Sequence, residues 1–172
     1  MATTYQLISS NVLTSDANSV LFTSIPATYT DLVLRMTARS TRAATDNSFT
    51  IKVNSATSNY SWTEVAGNGS SVSSSRGTGD VKLYGGIIIG DTDTSNTYNS
   101  IEVYIPSYTA SQSKPMSTVN VWERNASAGE IHTLAQLYSS STAITSVSVA
   151  SGDGTWDLKS GSSFYLYGIS NA

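Results

Sequence analysis

Residues 48–54, Ser48-Phe49-Thr50-Ile51-Lys52-Val53-Asn54, set Phe49, Ile51 and Val53 on one side of an extended chain and Thr50 and Lys52 on the other. Successive side chains of a strand point to opposite faces of its sheet, so this two-residue rhythm predicts a half-buried β-strand. Upstream the rhythm runs through residues 31–39, where Leu32, Leu34, Met36 and Ala38 oppose Val33, Arg35, Thr37 and Arg39. Downstream, Ile101, Val103 and Ile105 alternate with Glu102 and Tyr104, and the run stops at Pro106, which has no ladder donor. Further strands are expected at 5–13, 20–23, 60–66, 81–89, 118–123, 131–138, 144–149 and 164–169, about eleven in all.

No twelve-residue window carries a helical stripe, and 70–80 (SSVSSSRGTGD) and 90–100 (GDTDTSNTYNS) read as loops. Composition agrees: 32 Ser and 22 Thr compete locally for backbone hydrogen bonds and make poor helix interiors, while Thr, Val, Ile and ten Tyr suit strands. The length of 172 residues fits one domain, 1–172, able to bury roughly 70% of its unfolded surface. So many short strands must hide their edges. The near-unbroken alternation favours two facing sheets over a barrel, giving an all-β, single-domain, antiparallel, jelly-roll-like sandwich of ten or eleven strands. YQLI near one end and FYLYGI near the other are expected to pair within it.

The chain has no cysteine, which excludes disulfides, thiolate metal sites and thiol nucleophiles. A net charge of -3, with nine scattered basic residues, gives no footprint for nucleic acid. The start, MATTYQLISS, carries no positive leader, and the most apolar run, 83–89, is interrupted by Gly85 and Gly86. Synthesis in a cytoplasm without membrane insertion is therefore expected. Sequons at Asn59, Asn68 and Asn125 are read as by-products of composition.

Motifs for chemistry are sparse. The single histidine, His132, shares a strand side with Leu134, Gln136 and Tyr138 and is read as structural or surface. No nucleophile elbow, P-loop, zinc-protease or dinucleotide fingerprint occurs, so no catalytic residue is assigned. Glu64 and Glu123 stand beside Trp62 and Trp122, the pairing a glycoside-active site would use, but an ordinary sandwich edge supplies the same neighbours. Asp91, Asp93, Ser95 and Glu102 fall at oxygen-ligand spacings of a calcium loop, although Asn96 replaces the turn glycine. Calcium is the one cofactor these residues suggest, and a strand hairpin rich in Asp and Thr produces the same pattern. Aromatics recur beside hydroxyl-rich loops, and Tyr104, Tyr108, Trp122 and Trp156 are the candidate binding residues. Arg35, Arg39 and Arg42 fall to one side of a strand and its exit, which reads as a solvated face or as partners for an inter-subunit Asp.

The stretches SIPATYTDLVLRM (24–36), NYSWTEVAGNGSSVSSSR (59–76), IEVYIPSYTASQSKPMS (101–117) and AITSVSVASGDGTWDLKSGSSFYLYGI (143–169) resemble small virion structural proteins of tailed, cyanophage-type bacteriophages. The likeness lies in layout along nearly the whole chain and in no chemical motif. It implies a β-sandwich on the phage head or at the tail periphery, commonly a trimer. The expected function is a capsid decoration or cement protein of the virion, gripping the major capsid protein and its own copies. The absence of a heptad stalk or long shaft favours decoration over a tail-fibre or tail-knob protein that binds a host surface glycan. A carbohydrate-binding module or glycoside-active enzyme domain is the alternative outside the virion.

Overall fold

A computed structural model describes residues 4–125, 128–152 and 154–170, so part of the third sequon lies outside the described residues. Along them run β1 (Tyr5–Val12), β2 (Ser19–Phe22), β3 (Asp31–Ala38), β4 (Asp46–Val53), β5 (Tyr60–Gly67) and β6 (Val72–Asp80). The second half adds β7 (Leu83–Ile89), β8 (Asn99–Ile105), β9 (Lys114–Glu123), β10 (Gly129–Tyr138), β11 (Val147–Ser151) and β12 (Ser163–Ile169). All pairings are antiparallel, in sheets of order β1-β12-β3-β8-β9-β10-β5-β6 and β2-β11-β4-β7.

Setting the hairpins β5/β6 and β9/β10 aside leaves eight strands that pair from the outside in: β1 with β12, β2 with β11, β3 with β8, β4 with β7. This is a two-stranded ribbon rolled across two sheets, the winding of a jelly roll. The terminal strands pair as the sequence predicts, with Tyr5 opposite Ile169. Between the sheets the alternating residues interlock: Leu32 faces Ile105, Leu34 faces Val103 and Leu166, and all are buried with Phe49, Ile51 and Val53 of the opposing sheet. Truncating such a residue to Ala costs about 2–5 kcal/mol.

The two extra hairpins widen only one sheet, and there the alternation is inverted. In β9 and β10 the inward side carries Thr118, Asn120, His132 and Gln136, all buried, while Val119 and Ile131 face solvent. The cause is β7, the edge strand of the smaller sheet, whose backbone groups need partners on the side away from β4. Side-chain amides supply them. Asn120 Nδ2 donates to Gly85 O at 3.1 Å and Ile87 O at 2.9 Å, Gln136 Nε2 donates to Tyr84 O at 2.6 Å, and Asn99 Nδ2 donates to Ile87 O at 2.8 Å. Ile89 N donates to Asn99 Oδ1 at 2.8 Å, and Asn99 Nδ2 reaches Asn120 Oδ1 at 2.7 Å. Two glycines permit the approach: a Cβ on Gly85 would stand 2.2 Å from the Phe49 ring, and one on Gly86, at φ 93°, would stand 2.8 Å from Asn120 Nδ2.

The segment expected to be a loop at 70–80 is a correction: it contains β6, a nine-residue strand paired along β5. It lies at the sheet edge with nearly every residue exposed, so neither face imposes an apolar rhythm. Trp62 holds it instead, donating from Nε1 to Asp80 Oδ2 at 2.7 Å, and a Cβ on Gly77 would stand 2.5 Å from that indole nitrogen. A second correction concerns Arg39, expected on a solvated face and found 3% exposed.

Replacing Asn120 with Ala strands the Gly85 carbonyl, takes one of two side-chain donors from the Ile87 carbonyl and removes an acceptor from Asn99, and is expected to cost about 3 kcal/mol. Thermal unfolding should then fall by roughly 10 °C, and a fall under about 2 °C would remove the amide ladder from its stabilising role. Tyr60 gives an alkaline prediction. Its buried hydroxyl accepts from Val53 N at 2.9 Å and donates to Val53 O at 3.0 Å, and burial pushes its pKa up from 10.0 to about 12. The unfolded phenol ionises first, so this contribution is complete below about pH 10 and drains away as pH rises toward 12, by about 3 kcal/mol. In denaturant titrations, Tyr60→Phe should be less stable than the parent at pH 8 and should converge toward it near pH 12.

Candidate functional site

The inversion of β9 and β10 places apolar side chains outside. Across the outward face of the large sheet, cross-strand rows read Glu102–Val119–Thr133–Val65–Ser74 and Ser100–Val121–Ile131–Gly67–Val72. Val65 is 52%, Val72 76%, Val119 44% and Ile131 51% exposed. Neighbouring strands stand about 5 Å apart and successive rows on one face about 7 Å apart, so these side chains, diagonal neighbours across the two rows, make one contiguous patch. Single exposed valines are unremarkable on a monomer, but a contiguous group on one sheet face is the mark of a contact surface.

Toward β1 the same face becomes aromatic and charged. Arg35 Nε donates to Glu102 Oε2 at 2.8 Å, and its guanidinium lies 5.5 Å from the Tyr5 ring centre and 6.0 Å from that of Tyr167. Tyr5 and Tyr167 meet edge to face at 6.3 Å. Tyr104 donates to Asp31 Oδ2 at 2.9 Å, and that carboxylate raises the phenol pKa, with burial adding to the rise. Leu7 and Tyr5, about half exposed, complete the face at its edge.

The four candidate aromatics do not gather. Tyr104 belongs to the outward face just described, whereas Tyr108 is fully buried and donates to the Pro26 carbonyl. Trp122 lies buried on the inward side of β9 with the Arg124 guanidinium 5.1 Å from its ring centre. Trp156 is exposed and bridges to Ser151 beyond β11. Tyr104 alone of the four stands on the apolar and tyrosine-bearing face. The sequence does not mark Val65, Val119 and Ile131 as contact residues because apolar members of an alternating strand suit a core equally well, and Val72 falls in the segment expected to be a loop. The available signal was the polar partner set, since Asn120, His132 and Gln136 occupy the positions where core residues belong.

The loop with calcium-ligand spacing closes on a cation of the protein's own. Arg39 donates to Thr94 O at 2.6 Å, Thr97 O at 2.9 Å and Asp93 O at 2.9 Å, so the loop carbonyls turn inward onto its guanidinium. The carboxylates go elsewhere: Asp91 to Lys159, which holds the Asp91 pKa below its usual value, Asp93 to Arg124 at 3.1 Å, and Glu102 to Arg35. Ser95 is exposed. Among the described residues, no group of three or more His, Cys, Asp or Glu side chains is arranged to hold a metal ion.

His132, 2% exposed, sits between two carboxylates, with Nδ1 2.7 Å from Glu64 Oε1 and Nε2 2.9 Å from Glu130 Oε2. A neutral imidazole offers one donor and one acceptor, and carboxylates only accept, so two hydrogen bonds require one further proton within the trio. Ser75 donates to Glu64 Oε2 at 3.0 Å rather than to the ring. With both nitrogens occupied, this imidazole has no free position from which to activate a hydroxyl. Glu123, the other carboxylate placed beside a tryptophan, accepts from Arg124 N and Asn125 N at 3.0 Å.

No family model matches this chain, and no curated protein matches it in sequence. The prediction from this geometry concerns Arg39. Arg39→Met leaves several loop carbonyls unserved and should accelerate amide exchange across residues 91–97, with Arg39→Lys recovering only part of the protection because it lacks the planar fork. Millimolar calcium should leave the parent's melting temperature unchanged, and a rise of several degrees would show that the loop admits a second cation.

Proposed function

We propose that this chain is a non-catalytic virion structural protein, a capsid decoration or cement protein of a tailed bacteriophage that grips the head through the outward face of its widened sheet. The observation that carries the reading is the exposed patch of Val65, Val72, Val119 and Ile131, because burying it is the gain the free monomer leaves unrealised. The jelly-roll winding is one that viral capsid and lectin domains use. The resemblance in layout described above adds the phage assignment.

The mechanism is adhesion. The patch would form the dry centre of a contact and the Tyr5, Arg35, Glu102 and Tyr104 region its polar rim, the division seen in stable protein interfaces. Docking on the major capsid protein and on sister copies, as a trimer, would bury roughly 800 Å² per partner, and repetition over the shell would add avidity to modest single contacts.

Electron cryo-microscopy of intact particles tests the assignment. Density on the shell with hundreds of copies is the expected result, and density confined to the tail tip would overturn it in favour of a receptor-binding knob. Val65→Glu combined with Val119→Glu should release the protein from the shell without lowering its melting temperature, since both side chains face solvent in the free protein.

A further inference from the structure

The nine basic residues divide sharply by what they hold. Arg35, Arg42, Arg124 and Lys159 pair with carboxylates, and Arg39 is enclosed by the 91–97 loop. Lys114, fully buried, donates to the carbonyls of Ala110, Gln112 and Ser140, and burial lowers its pKa. Three remain without a carboxylate among the described residues: Arg76 on β6, and Lys52 and Lys82 together at one hollow.

That hollow lies on the outward face of the smaller sheet and has a volume of about 440 Å³. Its floor is set by cross-strand pairs, Lys52 opposite Ser148 and Thr50 opposite Ala150, which in turn faces Ser19. Asn18, Val81, Lys82 and Gly154 complete the lining, with Asn18 donating to Gly154 O at the rim. Among the described residues, Lys82 uses one donor on Gly152 O at 3.4 Å, leaving two of its three, and Lys52 keeps all three. No carboxylate lines the hollow among the described residues. On a protein of net charge -3, two ammonium groups with donors to spare make the described lining of this hollow locally positive.

We propose that this hollow binds an acidic sugar, its carboxylate between Lys52 and Lys82 and its hydroxyls on Ser148 and Asn18, while Thr50, buried beneath them, spends its hydroxyl on the Gly152 carbonyl at 2.9 Å. A bare anion would need only the two lysines. The volume falls within the range of small-ligand sites, and Ser148 and Asn18 add a hydroxyl and an amide to the lining beside the two lysines. Val81, 54% exposed, gives the rim an apolar surface against which a sugar ring can lie. The hollow stands on a different sheet from the docking patch, so the two proposals succeed or fail separately.

Trigalacturonate titrated into the isotope-labelled full chain is the test, read by amide shifts. The expected result is saturating shifts at Thr50, Lys52, Lys82 and Ser148, weakened by 0.5 M salt. Lys52→Gln with Lys82→Gln should weaken binding by about tenfold or more. Ser148→Tyr, which keeps both charges and fills the floor, should do the same, so loss through misfolding of one variant does not decide the matter. Neutral galactotriose and inorganic phosphate should each bind at least about tenfold more weakly than trigalacturonate. Equal binding of galactotriose would overturn the role of charge, equal binding of phosphate would overturn the sugar, and unchanged affinity in both variants would overturn the site.

Discussion

The fold depends on what happens along the free edge of β7. A jelly roll of eight strands leaves that edge open, and the two inserted hairpins extend the facing sheet beneath it. Backbone carbonyls of Tyr84, Gly85 and Ile87 would otherwise be buried without donors, at about 1–3 kcal/mol each. Asn99, Asn120 and Gln136 meet them from the opposite sheet, so hydrogen bonds run between layers that are normally joined by apolar packing alone. Thr118 then holds Gln136 in place, its hydroxyl donating to Oε1 at 2.7 Å. Because the interior on this side is polar, the valines of β9 and β5 turn outward, and the surface chemistry of the large sheet follows from the satisfaction of one strand edge.

This coupling explains which features can be read in the sequence. β3, β4 and β8 bury one face against apolar neighbours, so their alternation announces both the strand and its inward side. In β9 and β10 the period is equally clear, but which side faces in depends on a strand elsewhere in the chain, and no local pattern carries that information. Reading Val119 and Ile131 as core is the natural result. β6 fails differently. With both faces in water its residues have no period to show, and its conformation comes from pairing with β5 and from Trp62 lying across Gly77. Gly85, Gly86 and Gly77 are visible in the sequence, but the Phe49, Asn120 and Trp62 side chains that require them are not.

The candidate chemical sites share a fate. Spacing suggested a cation loop at 91–102, and the loop is filled by Arg39, a residue whose distance in sequence hides the contact. Two carboxylates beside tryptophans suggested acid–base work, and Glu64 spends its oxygens on His132 and Ser75 while Glu123 caps a turn. In each case the polar groups are met by hydrogen-bond partners of the protein's own. Free capacity is left at two surfaces of opposite character, an apolar patch on one sheet and a cationic hollow on the other, facing away from each other across the core.

The outside-in pairing of the ribbon also governs how the chain can acquire its shape during synthesis. β1 finds its partner only when β12 has been made, so at about 5–20 residues per second the leading strand waits on the order of ten seconds without a neighbour. The inner pairs and hairpins, β4 with β7, β5 with β6, and β9 with β10, have their partners sooner. Ser9, Ser10 and Asn11 give the waiting strand a stretch that water solvates well, and the closing strand arrives as the last stave of an already assembled cask.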